Sequence, residues 1–326
     1  MKISLFQPKK NIINLIIKDH AIRLVELKST SPLIVKRTEE KFIPANILKD
    51  GKIVDQEKFK TFINDCSKKW GLKNKHVRFT VPDAFVITRK LSIPSAVLDD
   101  EIIGHLYLEL GSTIHLPFDD PVFDVHVINR GEEKTDIILF ASPEAVVMEY
   151  ANILENNKMI PDAADISPLC LYRLYHHFDN IEDGDNLLFV HFDISGITLS
   201  IFKNHVPLLV RTVNLTPDTK VWEVSRTNTR IEWSGDIVQF NVFLEDFVTE
   251  VQRVMNFFRY SLNQGEEDVN KLILFGDHPN LPLVESKLKD KVNVKVTKLE
   301  QQVMTQDQEV VGESYYYGLG LALKEV

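Results

Sequence analysis

The stretch NLIIKDHAIRLVELK (residues 14–28), followed by PLIVKR (32–37), decides how this chain is read, because its pattern returns about 170 residues later. The second copy is NLLFVHFDISGITLSIFK (186–203), followed by PLLVR (207–211). In both, an apolar strand meets a short polar turn, a second strand ends in lysine, and a third opens with Pro-Leu. Alternation supports the strands: Ile197, Leu199 and Ile201 face one way, Thr198 and Ser200 the other. A strand–turn–strand unit used twice predicts two similar lobes facing each other across a cleft. In folds of that kind the turn between the first and second strands handles phosphate, so its residues bear directly on function.

The bulk composition narrows the field. A chain of 326 residues is too long for one ordinary core and suits two lobes. Its 44% hydrophobic and 26% charged content is that of a globular protein. The net charge of −9, with Lys9-Lys10 and Lys68-Lys69 as isolated basic pairs, argues against nucleic acid as the main partner. Cys66 and Cys170 lie far apart without CxxC spacing, which excludes a structural zinc site on ligand count and leaves no disulfide framework. MKISLFQPKK at the start lacks the apolar core of a secretion signal, and no run approaches a membrane span. The chain reads as cytoplasmic, where the Asn214-Leu215-Thr216 sequon carries no meaning.

Along the chain, Phe59, Phe62, Ile63 and Cys66 recur on one face of a helix over 55–70. Strands follow at 76–81 and 84–93. Asp99-Asp100-Glu101 places acids at the positive end of a helix running to about Leu110. A strand at 122–128 and another at 136–141 lead to Ser142-Pro143-Glu144, which reads as a helix start with Ser142 as N-cap. Strand, helix and strand in succession predict a right-handed parallel crossover. A short helix over 167–178 ends at the acidic linker 179–185, the expected lobe boundary. Beyond the second copy, residues 214–240 read as irregular, 243–262 as the longest helix, 282–289 as another, and 312–326 as a small-residue closing helix.

In this order the elements resemble the PilM family of type IV pilus assembly proteins, cytoplasmic and actin-like, and more distantly FtsA. The resemblance spans essentially the whole chain and rests on several segments. They are AIRLVEL (21–27), Thr88 to Pro94 followed by Asp99-Asp100-Glu101-Ile102, Leu116-Pro117-Phe118 with Phe123-Asp124-Val125, Asp165 to Leu169, Glu250 to Arg253, and the closing Tyr317 to Lys324. It implies a bilobal actin-like α/β fold, a duplicated ribonuclease-H-like unit with a subdomain inserted in the first lobe. The first lobe is expected over 1–180, with the insertion at about 83–130 and the helix 312–326 packed back on it. The second lobe is expected over 186–311.

The phosphate turns depart from that family's pattern. In the superfamily the first turn reads Asp-Ile-Gly-x-Ser, in which glycine lets backbone N–H groups approach phosphate and the acid helps hold hydrated Mg²⁺. Here the corresponding residues are Ile16, Ile17, Lys18, Asp19 and His20. The second turn, Asp-Ile-Gly, becomes His191-Phe192-Asp193, with Ser195 two residues on, and the purine-side Gly-Gly becomes Gly276-Asp277. Lys18, Asp19, His20, Asp193, Ser195, Gly276 and Asp277 are therefore vestigial positions, and neither catalytic residues nor Mg·ATP chemistry is expected of them. An alternative stays open, in which Lys18 binds phosphate as a point charge and Ser195 donates one hydrogen bond. The protein would then be an ATP-binding member whose nucleotide state regulates a pilus complex.

Other constellations read as structural. Adjacent His176 and His177 point about 100° apart on a helix and cannot share a metal, and no HExxH occurs. Gly318-Leu319-Gly320 lacks the third glycine of a dinucleotide loop and reads as helix packing. Tyr315-Tyr316-Tyr317 cannot all face inward on one helix, so one of them is a candidate partner contact. The resemblance implies a scaffold that binds the short cytoplasmic N-terminal peptide of a PilN-like single-span membrane protein, in a groove between subdomains of the first lobe, alongside other assembly-platform proteins. Arg89, on the insertion's strand, is the candidate contact. An ATPase or sugar-kinase-like enzyme would need the missing acids and glycines. An FtsA-like membrane-binding polymer would need an amphipathic closing helix after Lys324-Glu325-Val326, so direct membrane insertion is not expected.

Overall fold

Strand β1 (Ile13–Ile17) is buried along its whole length, so both of its faces must be covered, and the first lobe is built around that demand. The computed structural model describes residues 12–213, 222–224 and 231–325. The Lys9-Lys10 pair and the Asn214 sequon lie outside them. β1 runs antiparallel to β2 (Ala21–Thr30), and β2 to β3 (Leu33–Phe42). A small hairpin, β4 (Leu48–Lys49) and β5 (Lys52–Ile53), leads into α1 (Gln56–Trp70), whose N-cap Asp55 accepts a hydrogen bond from the Lys58 amide. β6 (His76–Thr80) then returns parallel to β1.

The chain next leaves this sheet. After a 3₁₀ turn at Asp83–Phe85 come β7 (Ile87–Pro94), α2 (Ile102–Glu109), β8 (Pro121–Arg130) and β9 (Lys134–Pro143), whose strands form a separate sheet in the order β7-β9-β8. α3 (Glu144–Asn156) and β10 (Ile160–Asp165) rejoin the main sheet beside β6, and α4 (Ser167–His177) closes this part of the lobe.

The second copy repeats the layout. β11 (Asn186–Asp193), β12 (Gly196–Lys203) and β13 (Val206–Val213) form the same antiparallel meander. β14 (Trp222–Val224) and β15 (Ile231–Trp233) pair with each other, and α5 (Ile237–Phe257) continues into a π-helical turn at Phe258–Leu262. β16 (Lys271–Phe275), α6 (Leu281–Lys291) and β17 (Lys295–Thr297) complete the lobe. The strand orders are β10-β6-β1-β2-β3 in one lobe and β17-β16-β11-β12-β13 in the other, so β1–β2–β3 and β11–β12–β13 hold equivalent places.

Several expectations need correction. The insertion extends past 130 to Pro143, because β9 is its central strand, and Ile137, Leu139 and Ala141 share a core with Ile93, Ile102 and Leu106. Ser142 is therefore a strand residue paired with Val122 rather than an N-cap, and α3 starts after Pro143 without a side-chain cap. The expected crossover joins two different sheets, and the parallel pairs are instead β6 with β1 and β10 with β6. The stretch up to 311 does not all belong to the second lobe, since β18 (Met304–Thr305) pairs with β3 and extends the first-lobe sheet. The longest helix begins at Ile237 rather than 243, because Asp236 caps it by accepting from the Val238 and Gln239 amides. Its first turns expose Ile237, Val238 and Val242, which hides the apolar period from a sequence reading.

The closing helix is shorter than 312–326: a 3₁₀ turn at Glu313–Tyr315 precedes α7 (Tyr316–Ala322). α7 lies on β1, β2 and α4, so it belongs to the first lobe. Two glycines permit that approach. A Cβ on Gly318 would stand 2.5 Å from the Val25 side chain, and one on Gly320 would stand 1.8 Å from the Cys170 carbonyl oxygen. We expect Gly320→Ala to lower stability by roughly 1–3 kcal/mol, as overpacking does. Gly104→Ala, in an exposed α2 turn with open space around it, should instead raise stability by about 0.4–1 kcal/mol. Denaturant unfolding of the two variants checks the contrast, and equal effects would contradict the packing role of Gly320.

Candidate functional site

The two first-to-second-strand turns face each other across the cleft, and a side chain fills the place where glycine would admit phosphate. Lys18 leaves the end of β1 and sends its ammonium into the gap. Its Nζ donates to Ser167 Oγ at 2.8 Å and lies 3.3 Å from Asp193 Oδ2 and 3.8 Å from Asp83 Oδ2. The same Nζ sits 4.4 Å from the centroid of the Tyr317 ring. Asp193, at the end of β11, occupies the glycine position of the second turn and accepts hydrogen bonds from Tyr317 Oη at 2.8 and 2.9 Å. The glycine positions of the duplicated turns thus carry opposite charges that pair across the lobes.

A second node lies beside the first. Asp277, just after β16, accepts from His20 Nε2 at 2.7 Å and from the Ile194 amide at 3.1 Å, and pairs with Arg23 Nη1 at 2.7 Å. Arg23 also binds Glu40, and His20 Nδ1 lies 3.0 Å from Ser195 Oγ. Gly276 is what brings Asp277 here. Its φ of +147° suits glycine, and a Cβ would lie 2.0 Å from the Phe192 carbonyl oxygen. Asp19 points elsewhere, accepting from the Asp50 and Gly51 amides at 2.6 and 2.9 Å to brace the β4–β5 hairpin.

The electrostatics follow from burial and these contacts. Burial opposes the charge on Lys18, but Asp193, Asp83 and Asp277 outweigh it and raise its pKa, so the ammonium stays protonated. Burial also opposes ionisation of Asp277, yet His20 and Arg23 hold its carboxyl well below the usual range. Burial and the nearby Asp277 charge push Asp193 upward against the pull of Lys18. Burial and Asp193 drive the Tyr317 hydroxyl well up, which keeps it a donor. Burial and the Lys18 charge hold His191, in the second-turn acid position, well below its ordinary value, so it is a neutral imidazole. The open space left beside Lys18 is about 90 Å³, small against the roughly 300–1,000 Å³ of ordinary ligand pockets. With Lys18 in the gap and the cleft carboxylates already paired, the donor set does not suit a metal–phosphate group. Among the described residues no cluster of metal-ligating side chains occurs.

A different opening, of about 130 Å³, lies between the inserted sheet and the lobe core. Its walls are apolar: Val86, Phe123, Phe140, Val147, Ile166 and Leu169, with Asp124 and Lys324 also lining it. Arg89 is exposed on β7 opposite Leu139 and is not among the residues lining this groove. The tyrosine triplet turns inward instead of offering a partner contact: Tyr316 and Tyr317 are buried and Tyr315 is half-buried against the same core. Sequence reasoning singled out six cleft positions but missed Arg23, Asp83, Ser167 and Tyr317. One signal was available, since opposite charges at equivalent positions of a duplicated turn call for each other.

The sequence matches the family described as type IV pilus assembly protein PilM over residues 15–218. Among solved structures, it is similar to a PilM–PilN type IV pilus biogenesis complex at 19% identity and a TM-score of 0.76, covering 97% of this chain and 98% of that one. It is also similar to the ethanolamine utilization protein EutJ of Carboxydothermus hydrogenoformans at 10% identity and a TM-score of 0.51, covering 98% and 90%. MreB5 of Spiroplasma citri, solved bound to ADP, matches at 9% identity and a TM-score of 0.50, covering 97% and 96%. No curated protein matches the sequence. The fold is thus actin-like α/β.

The depressed Asp277 pKa gives a signed expectation. Its stabilising contribution is complete above the usual carboxylate value of 3.8 and is lost as pH falls through the lower, folded-state value. Asp277→Asn should cost about 3–5 kcal/mol at neutral pH, because Arg23 loses a buried partner. The gap between wild type and variant should shrink steadily below pH 4 or so. Denaturant midpoints measured at pH 7 and pH 3 check this, and a gap equally wide at both would remove Asp277 from the network's centre.

Proposed function

Because this chain belongs to the PilM family of type IV pilus assembly proteins, we propose that it is a non-hydrolysing scaffold at the inner face of the cytoplasmic membrane. In this reading it holds the cytoplasmic N-terminal peptide of a PilN-like membrane protein. The observation that carries the proposal is the apolar groove between the inserted sheet and the first-lobe core, in a chain similar along its length to a PilM–PilN complex. β8 is one of the two outer strands of the inserted sheet and supplies Phe123 to the groove wall. An extended peptide can therefore lay side chains into the groove while its backbone meets a strand edge. Phe123 and Phe140 are the natural anchors, because large rigid rings in a desolvated pocket dominate such affinities.

No helix among the described residues is long and apolar enough to cross a membrane, which is compatible with recruitment through the partner. The cleft lacks the groups that hydrolysis would use. Lys18 and Asp193 replace both phosphate-turn glycines, and Ile16 and His191 replace both turn acids. Phosphoryl transfer is mostly positioning and charge stabilisation, and those were the groups to provide both.

Titration of the PilN-like N-terminal peptide tests the docking. Phe140→Ala and Phe123→Ala should each weaken binding about tenfold or more, while Arg89→Ala leaves it unchanged. Undiminished affinity in both groove variants would place the peptide elsewhere. Calorimetry of the wild-type protein with Mg·ATP should show no saturable heat, and micromolar binding would instead favour the nucleotide-regulated alternative.

A further inference from the structure

Four segments of the first lobe converge on the seam between the lobes, and each has a polar or aromatic group on the same ammonium or the same carboxylate. Lys18 comes from the β1–β2 turn, Asp83 from the 3₁₀ turn after β6, Ser167 from the start of α4 and Tyr317 from α7. The second lobe supplies one group to this set, Asp193. Side-chain exposure is 15% for Lys18, 8% for Asp83 and 5% for Asp193, so solvent does little to screen the set. Asp83 is itself fixed, since it accepts from the Ser167 amide at 3.0 Å.

We infer that the Lys18 ammonium is a built-in cation that holds the two lobes closed on each other, in the place where the actin-like fold would use a metal–phosphate group. Closure is then a property of the chain, present without any ligand. The inference rests on the reading that the cleft takes no Mg·ATP, and it deepens that reading by giving the filled cleft a task. Charge counting supports it. Lys18 faces two carboxylates, Asp83 and Asp193, and among the described residues no second lysine or arginine bonds to either. Without the ammonium, two partly buried anions from opposite lobes would repel each other across a gap too dry to screen them. Asp277 with His20 and Arg23 forms a parallel tie, Tyr172 Oη and His205 Nδ1 meet at 2.7 Å across the lobes, and Leu171 and Tyr175 share an apolar core with Phe189 and Phe275, so the protein should fold without Lys18.

The test is an inter-lobe distance measured without nucleotide. Spin labels placed by cysteine substitution at Glu57 in α1 and Asp290 in α6 report it, since both side chains are exposed and the native cysteines are buried. The wild-type protein should give one narrow distance distribution. Lys18→Met, which keeps the apolar stem and removes the charge, should broaden and lengthen it. Asp193→Asn should do the same from the other lobe, and it keeps the question answerable if Lys18→Met does not fold. A narrow, unshifted distribution in whichever of these variants folds would overturn the latch. Calorimetry with Mg·ATP on the wild type is a separate readout: nucleotide binding there would refute the reading that the cleft takes no Mg·ATP, whereas the label distances judge the latch alone.

Discussion

A lysine ammonium in a seam that water scarcely reaches must meet an anion, and here the nearer of its two anions belongs to the other lobe. The pairing of Lys18 with Asp193 therefore fixes more than one contact. It links the ends of β1 and β11, the equivalent strands of the duplicated unit, whose Ile16, Leu187 and Phe189 also share an apolar core. Through Tyr317 it also ties α7 to the second lobe, although α7 is packed on the first. Buried ion pairs contribute little net stability compared with apolar residues of similar size, but losing one partner costs several kcal/mol. That asymmetry suits a device that selects one arrangement of two bodies instead of adding to the overall stability.

The glycines show the same division. Gly276 and Gly320 stand where two backbones come within reach of each other, and a methyl group would collide with a carbonyl oxygen in both cases. At the two turn positions whose glycines would face a phosphate, a charged residue stands instead. Backbone geometry is thus kept where the fold needs it, while the turns are rebuilt. The groove proposed for the partner lies in the first lobe, between the inserted sheet and the core, away from the filled turns.

Much of this was legible in the sequence. The repeated strand–turn–strand unit gave the two lobes, because strand alternation and a recurring Pro-Leu survive without any tertiary information. The altered turns were legible as well, down to Lys18 and Asp193. Boundaries failed where tertiary contacts override local signals. Ser142-Pro143-Glu144 has the chemistry of a helix start, but pairing with β8 draws Ser142 into a strand. Met304 and Thr305 carry no strand signal of their own, and only the exposed edge of β3 makes them one. Arg23 was missed because it sits in an apolar stretch whose pattern announces packing, and Tyr317 because its triplet reads as a partner contact; the polar ends of both matter only once the lobes are brought together.

The filled cleft also bears on whether this is a damaged enzyme or a differently built protein. Arbitrary substitution in a buried phosphate site would leave charges without partners, each at a cost of several kcal/mol. Here the charged replacements answer one another, while His191, in the second-turn acid position, is a buried neutral ring with neither nitrogen hydrogen-bonded among the described residues. Lysine in one turn meets aspartate in its equivalent. The aspartate that follows Gly276 meets a histidine and an arginine, and the histidine's other nitrogen meets Ser195. Even Asp19, left over at the first turn, is used to hold the β4–β5 hairpin. A site whose new charges are mutually satisfied has no electrostatic need for a ligand, and the lobes it joins can present the groove beside them as a fixed surface.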